Sequence, residues 1–397
     1  MLGDKRFLRT IKLRNILSFG PDTPELELQS LNVLIGPNGA GKSNLIEAIS
    51  LLQAAPTNLL DPIRAGGGIA EWLWKGSYDV PVAEIDATIS FPQGQMPLRH
   101  ILKFTMVGGR TELVDEAIEN EQPDPGNPPV RHFYYSNVNG QPFLSWRKDG
   151  ERRPLRPGDL ARDQSILSQR KDPDQYPEVT YLGSEYSRIK LFREWNFGRN
   201  TQPRQPPPTD LATDSLSEDA ANLALVLDDL DSRFGLKPSL VEQLTEADES
   251  IASYSTNVLG TRIELSLHYL GLTAPVPATR LSDGTLRYLC LLAVLCHPVP
   301  PPLVCLEEPE LGLHPDLIGK LADLLIDASH RMQLIVTTHS DILVDGLTKV
   351  PEAVVVCEKH GGSTTMTRRT SADLAVWLKD YGLGQLWLRG EIGGNRW

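Results

Sequence analysis

The chain has 397 residues, of which 39 are basic and 51 acidic, giving a formal charge of -12. With 40% apolar and 23% charged residues it has the composition of a globular protein with a sizeable core, and its length suits two or three domains. The longest apolar run, 288–296, is far short of the roughly 20 residues that cross a bilayer, and the first ten carry Asp4, Lys5, Arg6 and Arg9, so a membrane or secreted protein is not expected.

In chain order, 7–13 alternates apolar and polar residues and 26–28 does so again, which predicts a strand pair. Leu31-Asn32-Val33-Leu34-Ile35 is almost wholly apolar, as a strand buried on both faces requires. A glycine-rich turn follows, then a helix over 42–52 with Leu45, Ile46, Ile49 and Leu52 on one face. Segments 82–91 and 100–107 predict a hairpin. The proline-rich stretches 121–130 and 202–209 predict loops. Helices are expected at 162–170 and at 217–235, the latter capped by Ser217 and ended by Gly235. Strands are expected at 262–270, 303–306, 333–337 and 354–357, and helices at 285–296 and 317–329. The cysteines make no C-x-x-C pair, and three of the four sit in apolar runs; buried reduced thiols are expected.

Gly36-Pro37-Asn38-Gly39-Ala40-Gly41-Lys42-Ser43 matches G-x-x-x-x-G-K-[ST] at every fixed position, between a buried strand and an amphipathic helix. Glycines let backbone N–H groups approach phosphate oxygens, and the helix start adds its positive end. Lys42 supplies a full charge for the β- and γ-phosphates of ATP, and the Ser43 hydroxyl suits Mg²⁺. Further on, the strand 303–306 runs into Glu307-Glu308-Pro309-Glu310. An acidic pair at a buried strand end suits metal-assisted phosphoryl transfer: Glu307 on the metal side, Glu308 as the water-activating base. That metal-side place is more often Asp, so Glu307 reaches further by about one carbon–carbon bond.

Leu281-Ser282-Asp283-Gly284-Thr285 precedes a helix and resembles the signature L-S-G-G-Q of ABC-type ATPases with two substitutions. Ser282, Asp283 and Gly284 would form a second anion cradle, met by the P-loop of another subunit. Thr337-Thr338-His339-Ser340 puts His339 at a strand end, where that class carries a switch histidine sensing the γ-phosphate. Gln164 and Gln169 are both candidates for a magnesium-sensing glutamine.

These motifs, in this order, resemble the ABC-type ATPases of the RecF, SMC and OLD group. The opening Ile11-Lys12-Leu13-Arg14-Asn15-Ile16-Leu17-Ser18-Phe19, the helix start Lys42-Ser43-Asn44-Leu45-Ile46-Glu47 and the run Glu308-Pro309-Glu310-Leu311-Gly312-Leu313-His314-Pro315 carry the likeness. The resemblance implies an α/β P-loop NTPase: an ABC-type ATPase head with mixed sheet and an inserted, mainly helical arm. Its expected parts are 1–110, the Walker A half with Asn44 beside the nucleotide; 111–275, the insertion; and 276–397, the signature, Walker B and switch-histidine half with the tail. Few residues follow His339, and no long heptad run is present, so neither a Toprim domain nor an SMC arm is expected. The chain is similar to stand-alone ATPases of the AAA_21 type from defence and repair operons. That implies a cytoplasmic, ATP-dependent homodimer that gates a separately encoded effector, a nuclease or Toprim-like protein. A weakly hydrolysing scaffold that restrains a toxic partner is the alternative. Basic clusters (Arg147, Lys148, Arg152 and Arg153; Arg193, Arg199 and Arg204) are read as a DNA path or as solvated surface. The tail with Trp387 and Trp397 is read as a docking surface or as an anchor of the terminus.

Overall fold

The computed structural model describes residues 5–123, 132–138, 141–145, 152–155 and 160–394. Its internal packing divides the chain into two compact units. One holds Arg6–Ile189, Val355–Arg369 and the chain end from Ile392; the other holds Lys190–Val354 and Thr370–Glu391.

In the first unit an antiparallel sheet runs in the order Leu26–Glu27, Leu8–Arg14, Ala83–Ile89, Leu98–Val107, Arg110–Asn120, Phe133–Val138, Gln141–Ser145, Arg152–Pro154. The expected hairpin is there, pairing Ala83–Ile89 with Leu98–Val107. Leu98–Val107 buries alternate residues over most of its length, as a half-buried strand must. Gly108 and Gly109, with φ of 57° and 78°, close its turn onto Arg110, the two-residue geometry that matches strand twist. Arg99 bridges three strands, donating to Asp86 at 2.6 and 2.8 Å and to Glu119 at 2.7 Å. These carboxylates hold its pKa above the usual arginine value.

The apolar strand Leu31–Ile35 is buried at every position. It lies beside Val354–His360, which pairs antiparallel with Ser363–Arg368. The helix Lys42–Ala54 follows the glycine turn and buries Leu45, Ile46, Ile49 and Leu52 as its spacing demands.

The second unit carries three parallel strands in the order Lys190–Phe192, Leu303–Glu307, Gln333–Thr337. The helix Pro315–Ala328 connects the last two and buries Ile318, Leu321 and Leu325. Ile251–Leu259, Arg262–Tyr269 and Val276–Pro277 form a separate antiparallel sheet. The helix Asp283–Leu295 is buried from Leu286 onward, except at Arg287.

Two expectations change in detail. The insertion 111–275, expected to be mainly helical, carries the strand expected near 262–270, as Arg262–Tyr269, and others that were not expected: Arg110–Asn120, Phe133–Val138, Gln141–Ser145 and Ile251–Leu259. Their pairing energy comes from neighbours outside any local window, which a single-segment reading does not register. The helix expected over 217–235 begins only at Leu223. Ser217 instead turns onto Asn222, whose Oδ1 accepts from the Ser217 N–H at 2.8 Å and whose amide donates to Ala212 and Ser215 carbonyls. Local side-chain bonds of this kind outcompete the helix. Gly235, at φ 64°, lies where the chain leaves that helix, as expected.

No helix among the described residues is long and apolar enough to cross a membrane.

Candidate functional site: a phosphate cradle and an acidic strand end

The cradle lies in the first unit. Gly36, Gly39 and Gly41 have φ of 145°, 75° and 96°, a region costly to residues with a Cβ. At Gly36 a Cβ would stand 2.2 Å from the Cys357 carbonyl oxygen, so only glycine fits. Pro37 is half-buried, Asn38 exposed and Ala40 buried, so the turn rises to a polar, accessible crest. Gly41 opens the helix Lys42–Ala54 with no side-chain cap and no acid in the first turn. No carboxylate in that first turn opposes an anion at the positive end of the helix. Lys42 is buried, and its Nζ donates to the Gly36 and Pro37 carbonyls at 2.9 and 3.1 Å. The ammonium is thus held within the loop it would neutralise. These features fit a nucleotide triphosphate, and the half-buried Ser43 beside Lys42 fits a hard cation.

Bracing residues carry this turn, and motif reading did not single them out. The Thr364 hydroxyl donates to the Ala40 carbonyl at 2.9 Å and shares a hydrogen bond with the Ser18 hydroxyl at 2.7 Å. Asn44, expected to meet nucleotide, donates its amide to the same Ser18 oxygen at 2.7 Å. Ser18 sits in the opening strand–turn segment that carried the family likeness; Thr364 has no local signal at all. Cys357, at the floor of the turn, is buried, and burial pushes its thiol up to about 12.

The acidic strand end lies in the second unit. Glu307 closes the strand Leu303–Glu307 and registers with Thr337 on its parallel neighbour. Its Oε2 takes a charged hydrogen bond from Arg193 Nε at 3.2 Å. Glu308 adopts φ 45°, unusual for a residue with a side chain. Its N–H donates to the carbonyl and hydroxyl oxygens of Thr337 at 3.0 and 3.2 Å. The turn brings Glu308 Oε1 to 3.8 Å from His339 Nε2, with both side chains about one-third exposed, 32% each. Strain at such a place is characteristic of groups held ready for chemistry.

Glu310 was not singled out among the sequence candidates. It is buried, and its Oε1 accepts from the Thr338 hydroxyl at 2.5 Å and from the His339 N–H at 3.1 Å. Its Oε2 is buried without a hydrogen-bond partner. Burial pushes this carboxyl above the usual range, against the pull of those two donors.

In the same unit Ser282 caps the helix Asp283–Leu295, accepting the Thr285 N–H at 3.0 Å. Ser282 and Asp283 are exposed. A Cβ on Gly284 would meet the Gly312 carbonyl at 2.7 Å, so glycine is required there. Ser282, Gly284 and Thr285 border a cleft of about 640 Å³ with Gly312, His314 and Tyr288.

The remaining candidates fall elsewhere. Gln164 donates to Asn58 Oδ1 at 3.1 Å, and Gln169 braces the backbone of Ala161 and Gln164; both line a cavity with Glu116 and Tyr135. Arg204 is buried, so it leaves the proposed DNA path, and Arg193 is engaged with Glu307; Arg199 alone of that cluster is exposed. Trp387 is 2% exposed within the short helix Leu383–Leu388, which removes it from a docking surface: apolar area of this size is spent on the core. Arg147, Lys148 and Trp397 lie outside the described residues, as do the side chains of Arg152 and Arg153.

Residues 31–345 match the model of a family, AAA_21, described as "AAA domain, putative AbiEii toxin, Type IV TA system". A comparison with curated proteins found no match. Similar folds occur among solved structures. An SMC head bound to the C-terminal winged-helix domain of ScpA is 15% identical with a TM-score of 0.57, over 92% of this chain and 98% of that one. An SMC head with extended coiled coil from Pyrococcus furiosus, bound to the C-terminal domain of ScpA, is 13% identical with a TM-score of 0.54, over 94% and 99%. A Pyrococcus yayanosii SMC head with coiled coil and joint gives 12% and 0.52, over 94% and 99%. The fold is thus the mixed α/β P-loop head of the SMC type.

Proposed function

The chain belongs to the AAA_21 family of P-loop ATPases, and from that premise we propose that it is an ATP-hydrolysing switch that closes as a homodimer around ATP and Mg²⁺. Lys42, Ser43 and the N–H groups of 36–43 would hold the triphosphate, and Ser43 with Glu307 the cation. Ser282 and Gly284 of a second copy would complete each pocket. Mg²⁺, when bound, supplies charge neutralisation at the phosphates. Glu308 takes the proton of the attacking water, and His339, facing it, reads the γ-phosphate.

The observation that carries this reading is the Glu308–His339 pair, set at the ends of two parallel strands by the left-handed Glu308 backbone. The exposed signature turn supports the dimer, because a second chain can reach it. Closure would then be the state that a separately encoded effector, a nuclease or Toprim-like protein, recognises in DNA repair or phage defence. Nucleotide would favour it by differential affinity.

The test pairs two variants. Lys42→Ala should lose ATP binding. Glu308→Gln should bind ATP and elute as a stable dimer in size-exclusion chromatography. A Glu308→Gln protein that stays monomeric in saturating ATP refutes the switch.

A second reading has its own observation. Glu307 is paired with Arg193 where a metal-side carboxylate would be needed. A scaffold that binds nucleotide, hydrolyses little and restrains a toxic partner would keep that pair. Steady-state turnover with and without duplex DNA separates the two, and salt-dependent DNA binding would favour a DNA-sensing ATPase.

A further inference from the structure

Of the two departures from L-S-G-G-Q, Asp283 is the troubling one. It places a negative charge at the helix start where phosphate oxygens are to be received. Like charges so close oppose association.

The structure supplies an answer in Arg204, only 6% exposed. Its Nε donates to the Phe197 carbonyl at 2.7 Å. One terminal nitrogen donates to the carbonyls of Ala278 and Leu281 at 3.2 and 2.6 Å. The other pairs with the Asp283 carboxylate. A guanidinium is suited to this because its donors spread in a plane, whereas an ammonium is a point charge. The Asp283 side chain is itself 70% exposed, so its own burial does not demand a partner. The strap that delivers Arg204 is seated by aromatic packing: Arg287, on the signature helix, lies 5.8 Å from the Trp195 ring centre and 5.4 Å from that of Phe197.

We propose that Arg204 is the positioning residue of the signature turn: it cancels the charge of Asp283 and anchors the backbone that leads into Ser282. The Ser282–Gly284 N–H groups then remain attractive to the terminal phosphate of a nucleotide held by a second copy of this chain. Arg204 touches no nucleotide. The assignment rests on the ATP-dimer reading above.

The experiment uses the full chain in the Glu308→Gln background and follows ATP-dependent dimerisation by analytical ultracentrifugation. Arg204→Gln keeps an amide donor for the carbonyls and loses the charge. It should raise the ATP needed for half-dimerisation by about tenfold or more, while ATP affinity of the monomer stays as in the parent. Adding Asp283→Asn to Arg204→Gln should restore dimerisation to within about threefold of the parent. Arg204→Lys, which keeps the charge but not the planar set of donors, should dimerise better than Arg204→Gln and less well than the parent, and serves if Arg204→Gln does not fold. Unchanged dimerisation in Arg204→Gln overturns the assignment. So does a double variant as weak as Arg204→Gln alone, and so does an Arg204→Lys variant that dimerises no better than Arg204→Gln. A Glu308→Gln parent that never dimerises removes the dimer itself, a failure visible before any Arg204 variant is made.

Discussion

At the scale of single residues, the chemistry depends on positions that tolerate little change. Gly36 has a positive φ and a carbonyl oxygen where a Cβ would go. Gly36→Ala should abolish ATP binding in isothermal titration while the far-ultraviolet circular dichroism stays that of the folded chain. Glu310 holds the switch-histidine turn by accepting from Thr338 and from the His339 backbone. Removing it leaves two donors unpaired, and a group so left costs about 1–3 kcal/mol. Glu310→Ala should therefore lower stability by about 2 kcal/mol in urea unfolding. It should also slow turnover more than it weakens ATP binding. Glu310→Gln, which keeps an acceptor oxygen, should lose less on both counts; equal losses in the two variants would reject the positioning role.

At the scale of elements, the site is built at strand ends. The acidic pair and His339 stand together because Leu303–Glu307 and Gln333–Thr337 are parallel and register Glu307 with Thr337. A parallel sheet puts its functional side chains at the carboxyl ends of its strands. The short strand Lys190–Phe192 extends the same row, and its end delivers Arg193 to Glu307. That pairing competes with a cation for the carboxylate. Arg193→Ala should lower the Mg²⁺ concentration at half-maximal ATP binding, read by titrating Mg²⁺ at constant nucleotide. A rise instead would mean that Arg193 itself helps hold the phosphate.

At the scale of the whole chain, stability should depend on pH through His297. It is buried, its Nδ1 accepts the Val299 N–H at 3.2 Å, and its ring meets Phe234 edge-on. Burial lowers its pKa below 6.5, so the folded chain holds the neutral ring. The unfolded chain binds the proton more readily, and stability falls as pH drops below 6.5 toward the folded value. His297→Gln should flatten the decline of the melting temperature between about pH 7.5 and 5.5 relative to the parent. An unaltered slope would assign the acid sensitivity to other groups.

Much of this was legible along the chain, because phosphate recognition is a local matter. Gly36 to Ser43 needs only its own backbone, and the apolar strands before each motif announce themselves by composition. Glu308 and His339 were named by their place after such strands. What local order could not supply is everything whose partner lies far away. Thr364 reaches Ala40 across hundreds of residues, Arg204 reaches Asp283, and Glu310 gains meaning only when the His339 turn is laid beside it. The same limit hid the strands of the insertion other than Arg262–Tyr269, whose alternation shows locally. Covalent neighbours decide which groups can bind phosphate; folding decides which distant side chains hold them still, because hydrogen bonds and burial act through space rather than along the chain.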